Sequence, residues 1–227
     1  MEILQITTSS PADTLAVSAG QDSVALISLV LQGGYMMIPI FLLSIVAFYV
    51  FVERIRVIGR AAKTPAGFMD NIKRMVAGGD LSGAKVLCQQ SDTPIGRMIG
   101  KGLSRIGSPL KNIEVSIENV GRIEIYNLEK NLSLLATISG AAPMLGFLGT
   151  VTGMIQAFIA IAQEEGAVSP KLLSAGIYEA MLTTAAGLFV GIIAYLGYNY
   201  LVTRVQKVVH NMEYTSIDFI DLLQEPR

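Results

Sequence analysis

The sequence predicts an all-α integral membrane protein: three transmembrane helices with long cytoplasmic helical extensions. Three observations carry that prediction. Of the 227 residues, 52% are hydrophobic and only 15% are charged, with a mean hydropathy of +0.53. The runs 24–52, 131–163 and 172–203 are free of charge except for Glu179, and each exceeds the ~20 residues that cross a bilayer. Helix start signals recur between the runs, whereas no strand-like alternation bounded by turn residues occurs.

Residues 1–33 carry Glu2, Asp13 and Asp22 but no Lys or Arg. That lead lacks the basic region of a secretory signal and is expected to be periplasmic, with a helix lying on the membrane surface. The Gly33-Gly34 break places the first span at 34–54. A cytoplasmic helical domain over 55–135 follows, in which Thr64-Pro65, Thr93-Pro94 and Ser108-Pro109 each pair an N-cap residue with proline at the first helical position. Gly78-Gly79 ends the first of these helices, and Asp80 is placed to cap the next. From Pro109 one helix is expected to run through the second span, 136–160, with Pro143 near Gly140 as its kink. A periplasmic turn over 161–171 contains Ser169-Pro170, a fourth start signal. The third span is 172–203. It continues as a cytoplasmic helix over 204–227, where Val205, Val209, Met212 and Phe219 keep a helical spacing suited to bundle packing.

Basic residues orient the chain. None precedes Arg54, 13 lie from Arg54 to Lys130, and Arg204 and Lys207 follow the third span. The positive-inside rule puts the N-terminus in the periplasm and the C-terminus in the cytoplasm of a bacterial inner membrane protein. Net charge is −1, so nothing favours nucleic acid. A single Cys88 and a single His210 cannot build a familiar zinc set or a nucleophilic triad. With no phosphate-binding loop either, no enzymatic activity and no bound cofactor are expected.

Glu179 is the candidate functional residue. A membrane carboxylate costs roughly 2.5–3.5 kcal/mol on insertion scales and marks a functional site by default. Span two carries Ala142, Gly146, Gly149, Gly153 and Ala157 on one face, and span three repeats the device with Gly187 and Gly191; such stripes let helices approach closely. Thr150 in span two and Thr183 and Thr184 in span three lie at a comparable depth. Glu179 and Thr183, four apart, share a helix face. A protonatable group beside hydroxyls suits an ion path; the alternative is a neutral Glu179 that braces a structural scaffold. A solute transporter, the other rival, would carry inverted repeats with broken helices, which three unduplicated spans do not provide.

Two segments carry a resemblance. Residues 142–158, APMLGFLGTVTGMIQAF, and 176–200, GIYEAMLTTAAGLFVGIIAYLGYNY, are similar to the signature stretches of the ExbB/TolQ/MotA family of ion-driven motor subunits, and the order of spans matches as well. Three spans rather than four resemble the ExbB and TolQ branches. The resemblance implies a homopentameric ring around a dimer of a single-span ExbD- or TolR-like partner, which brings an essential aspartate into the pore. Work then passes to a TonB- or TolA-like protein, powering outer-membrane import or, in the TolQ alternative, envelope maintenance. By position, Glu179, Thr184 and Thr150 match the family's polar pore residues. The chain departs from the family at Ile193, where proline is frequent, and at Thr183, where alanine is common. The added hydroxyl keeps sodium open beside the expected proton.

Overall fold

A computed structural model describes residues 34–65, 67–163 and 170–224, with side chains of the last helix from residue 174 onward. The expected lead over 1–33 and residues 164–169 of the expected turn lie outside the described residues. Seven helices are described: α1 Met37–Ala61, α2 Phe68–Ala77, α3 Leu81–Gln90, α4 Pro94–Leu103, α5 Leu110–Glu129, α6 Leu132–Gln163 and α7 Pro170–Gln224. There is no strand among the described residues. Three helical stretches are long and apolar enough to cross a membrane: α1, the α5–α6 stretch and α7.

The spanning helices invert the polarity of a soluble bundle. Ile38, Phe41, Ile45 and Phe48 of α1 are exposed, as are Phe147, Ile155 and Phe158 of α6 and Phe189 and Leu196 of α7. In hydrocarbon such side chains lose nothing by facing outward, while the helix satisfies its own backbone groups. The inward face of α1, through Ile40, Ala47, Val50 and Ile58, packs on α7 and α6. Pro39 sits in the first turn of α1, where its missing N–H breaks no bond.

Past the membrane, α2, α4 and α5 pack against the extended half of α7, and α3 packs on α2 and α4. Ile72, Ile95, Ile99, Leu103 and Ile117 form one core with Met212 and Phe219 of α7, and each side chain so buried contributes about 1.5–3 kcal/mol. Two ion pairs fix the arrangement. Lys73 donates to Asp218 at 2.6 Å, which holds the lysine's pKa above its ordinary value. Arg97 grips the buried Glu124 with two bonds of 2.7 Å and also reaches Asp92. Its pKa is raised, chiefly by the Glu124 bond.

The start signals fare unevenly. Thr93 accepts from Gly96 N–H at 3.2 Å with Pro94 opening α4. Asp80 accepts from Gly83 N–H at 2.9 Å, and that bond lowers its pKa. Gly78 and Gly79 end α2 as expected. However, α2 begins at Phe68 rather than Pro65, because Gly67 adopts a left-handed conformation that no α-helix crosses. Pro109 is itself the N-cap of α5, with no side-chain cap from Ser108.

The continuous helix expected from Pro109 through span two is also broken. Lys130 is extended, and Asn131 takes a left-handed φ of 64°, which asparagine tolerates better than most residues. The reason lies on α1. Buried Arg54 donates to the carbonyl of Asn127 at 3.1 Å, one of the orphan acceptors at the end of α5. Glu53, paired with Arg54, accepts from Asn131 at 3.3 Å. By contrast α7 is unbroken for 55 residues, about 80 Å at the α-helical rise.

Candidate functional site

The site forms where α6 and α7 run antiparallel in close contact. A Cβ added at Gly146 would lie 2.9 Å from the Thr183 carbonyl oxygen and 3.1 Å from Thr184 Cα; one at Gly187 would lie 2.9 Å from Gly146 Cα. Backbone meets backbone there, and no larger residue fits. Toward the N-terminal end of α7 the same seam continues as Gly149 against the Thr183 side chain, then Gly153 against Ala180. In the other direction Gly191 lies on the Pro143 ring and near the Ser139 carbonyl, which proline at 143 leaves without its usual i+4 donor.

This register sets the hydroxyls. Thr150 and Thr184 hydrogen-bond to each other across the seam. Both also reach the Gly146 carbonyl, Thr184 at 3.0 Å and Thr150 at 3.2 Å. Two hydroxyl protons and one shared acceptor make a short chain whose direction reverses by rotating two C–O bonds. Both side chains are half-buried, so the chain opens to one side of the helix pair. Thr183 differs. It is 1% exposed and donates to its own-helix Ala180 carbonyl at 2.8 Å, so within this chain it fills the space above Gly149 rather than facing open surface.

Glu179 lies one turn before Thr183 on α7, half-buried, with no hydrogen-bond partner among the described residues. Its carboxylate presses against Gly34, just before α1, where an added Cβ would overlap a carboxylate oxygen. The structure thus brings Thr150 and Thr184 into contact, buries Thr183, and sets Glu179 where the start of α1 meets α7. Gly34 is the residue that sequence reasoning missed: the Gly33-Gly34 pair reads as a break, and nothing in it announces a contact with residue 179. Among the described residues no group of three His, Cys, Asp or Glu could hold a metal ion.

Three apolar spans, a single spanning carboxylate and a cross-helix hydroxyl pair define a multi-pass membrane protein with polar groups held inside its helix seam. The chain belongs to the MotA/TolQ/ExbB proton channel family, whose model matches residues 90–214, more than half of the chain. It is 29% identical over 184 residues to a putative biopolymer transport protein ExbB homolog of Methanothermobacter thermautotrophicus, covering 80% of this chain and 64% of that one. A putative biopolymer transport protein, ExbB-like 1, of Synechocystis is 32% identical over 180 residues, covering 76% and 69%. The Tol-Pal system protein TolQ of Haemophilus influenzae is 39% identical over 85 residues, 37% of each chain. The match thus spans under two thirds of the first and little over a third of the last.

Proposed function

We propose that the chain is a ring-forming subunit of an inner-membrane, ion-driven motor that turns proton motive force into mechanical work. One observation carries the reading: the lone spanning carboxylate, Glu179, lies five residues before Thr184 on α7, and Thr184 bonds Thr150 across a seam sealed by glycine. Moving one charge across 100 mV releases about 2.3 kcal/mol, and a path for that charge needs polar groups that hold it briefly at membrane depth. Glu179 and the threonine pair supply fixed ones.

A moving group belongs on a partner. In this reading five copies surround a dimer of a single-span ExbD- or TolR-like protein, whose membrane aspartate is neutralised as the ion passes, removing a desolvation cost and freeing the dimer to turn. The N-terminus faces the periplasm, and work leaves through a TonB-like protein for outer-membrane import. A second reading, supported by the match to TolQ as the first is by the matches to ExbB, is a TolA-coupled role in envelope maintenance. Sodium is the alternative ion.

The test is ion flux in proteoliposomes containing the ring and its single-span partner, read with a trapped pH dye. E179Q and T150A/T184A are expected to abolish or strongly reduce flux while the ring still assembles. Undiminished flux in both variants refutes the assigned roles, and sodium-dependent flux at constant pH transfers them to sodium.

A further inference from the structure

Two cavities lie end to end along the seam between α1 and α7, further toward the C-terminal end of α7 than Glu179. The first, about 450 Å³, is an apolar crevice within the spans, lined by residues including Phe48, Phe51, Phe189, Ile193 and Tyr200. The second, about 630 Å³, lies where the uncharged runs end, lined by residues including Ile58, Tyr200, Arg204, Lys207 and His210. Tyr200 lines both, so they are two halves of one groove. Among the described residues no acidic side chain lines either half.

The cations at the polar end are uncommitted. Arg204 is the first charge after the 172–203 run, and its guanidinium stays on its own helix. It donates to the Tyr200 hydroxyl at 2.9 and 3.1 Å and stands 5.3 Å from the centroid of that ring. Neither Arg204 nor Lys207 forms an ion pair among the described residues. The tyrosine thus holds the guanidinium at the junction of the halves. Gly197 keeps the crevice floor low, since a Cβ there would press on the Phe51 ring at 3.1 Å.

We propose that this groove is a binding site for an anionic phospholipid, with its phosphate at Arg204 and Lys207 and an acyl chain in the crevice between Phe51 and Phe189. A basic pocket between spanning helices recognises such headgroups. The apolar half selects a lipid over a soluble phosphate, because only a lipid fills both ends. The site is separate from the ion path: its residues lie on the far stretch of α7 and do not touch the α6–α7 hydroxyl pair.

The experiment is native mass spectrometry of the full chain in detergent micelles, titrated with palmitoyl-oleoyl phosphatidylglycerol, the matching phosphatidylcholine, or glycerol 3-phosphate. Saturable phosphatidylglycerol binding, at least tenfold tighter than either other probe, is expected. R204Q/K207Q should weaken it about 30-fold, at about fivefold per cation. R56Q/R60Q removes two exposed cations at the same membrane height but outside the groove, and should leave binding within about threefold. E179Q should bind as wild type, so loss of the ion-path reading leaves this result untouched. Equal affinity for phosphatidylcholine or glycerol 3-phosphate overturns the proposal, as does equal weakening by R56Q/R60Q. Loss of lipid on ring assembly assigns the groove to a second copy and overturns it as well.

Discussion

Replacing Gly146 by alanine inserts one methyl group where two backbones touch. Its Cβ would lie 2.9 Å from the Thr183 carbonyl oxygen, 3.1 Å from Thr184 Cα and 3.2 Å from Gly187 Cα. None of these is the end of a flexible side chain, so α6 and α7 must part by several tenths of an ångström. Overpacking of this kind costs about 1–3 kcal/mol. Parting the helices also stretches the Thr150–Thr184 bond and the Thr184 bond to Gly146; interhelical bonds in membranes average about 0.6 kcal/mol. The sum is about 2–4 kcal/mol, or an apparent Tm about 5–15 °C lower for a chain of this size. Gly140→Ala is the matched control. It lies on the same helix with nothing within 4 Å of its added Cβ, and it gains the same helix propensity, so the difference between the two variants isolates the packing cost. Thermal melts of both in one detergent decide the matter: equal Tm values refute the close-contact argument.

Gly34→Ala is strained by its φ of +64° and overlaps the Glu179 carboxylate; the left-handed conformation alone costs about 1–2 kcal/mol. Carbodiimide labelling of Glu179 should change in rate by severalfold, and an unchanged rate removes Gly34 from the site. In the bundle of α2–α5, Glu124→Gln should cost roughly 1.5–3 kcal/mol by weakening a charged double hydrogen bond, while Asp92→Asn, whose carboxylate is 94% exposed, should cost under about 1 kcal/mol; a denaturant melt ranks them. Burial pushes the Cys88 thiol up to about 11. Because the unfolded thiol ionises first, stability should fall as pH rises from about 9 to 11, and iodoacetamide at pH 8 should modify Cys88 only after unfolding. Cys88→Ser should flatten that part of the pH profile.

The spans were legible because hydrocarbon leaves a chain no other choice: a run without charge and long enough must be helical there. The meeting of Thr150 with Thr184 was legible too, since the two lie a similar number of residues from the turn between their spans. What escaped had no local signature. The break at Asn131 depends on Glu53 and Arg54, far away in the chain, reaching the end of α5. The approach of Gly34 to Glu179 is likewise tertiary. Thr183 shows the limit of periodicity in the other direction. Its spacing groups it with Glu179, yet the glycine opposite it draws its side chain into the seam.

The unbroken length of α7 has a mechanical consequence. From Thr184 to Phe219 the helix runs about 50 Å, so a tilt of only ~2° at the hydroxyl pair would sweep Phe219 through nearly 2 Å at that rise per residue. Phe219 is fully buried against Ile117 and Gly102, and a packed core resists a shift of that size. The bundle of α2–α5 therefore acts as a clamp on the far end of a long lever. It holds the hydroxyl pair still against forces applied within the spans.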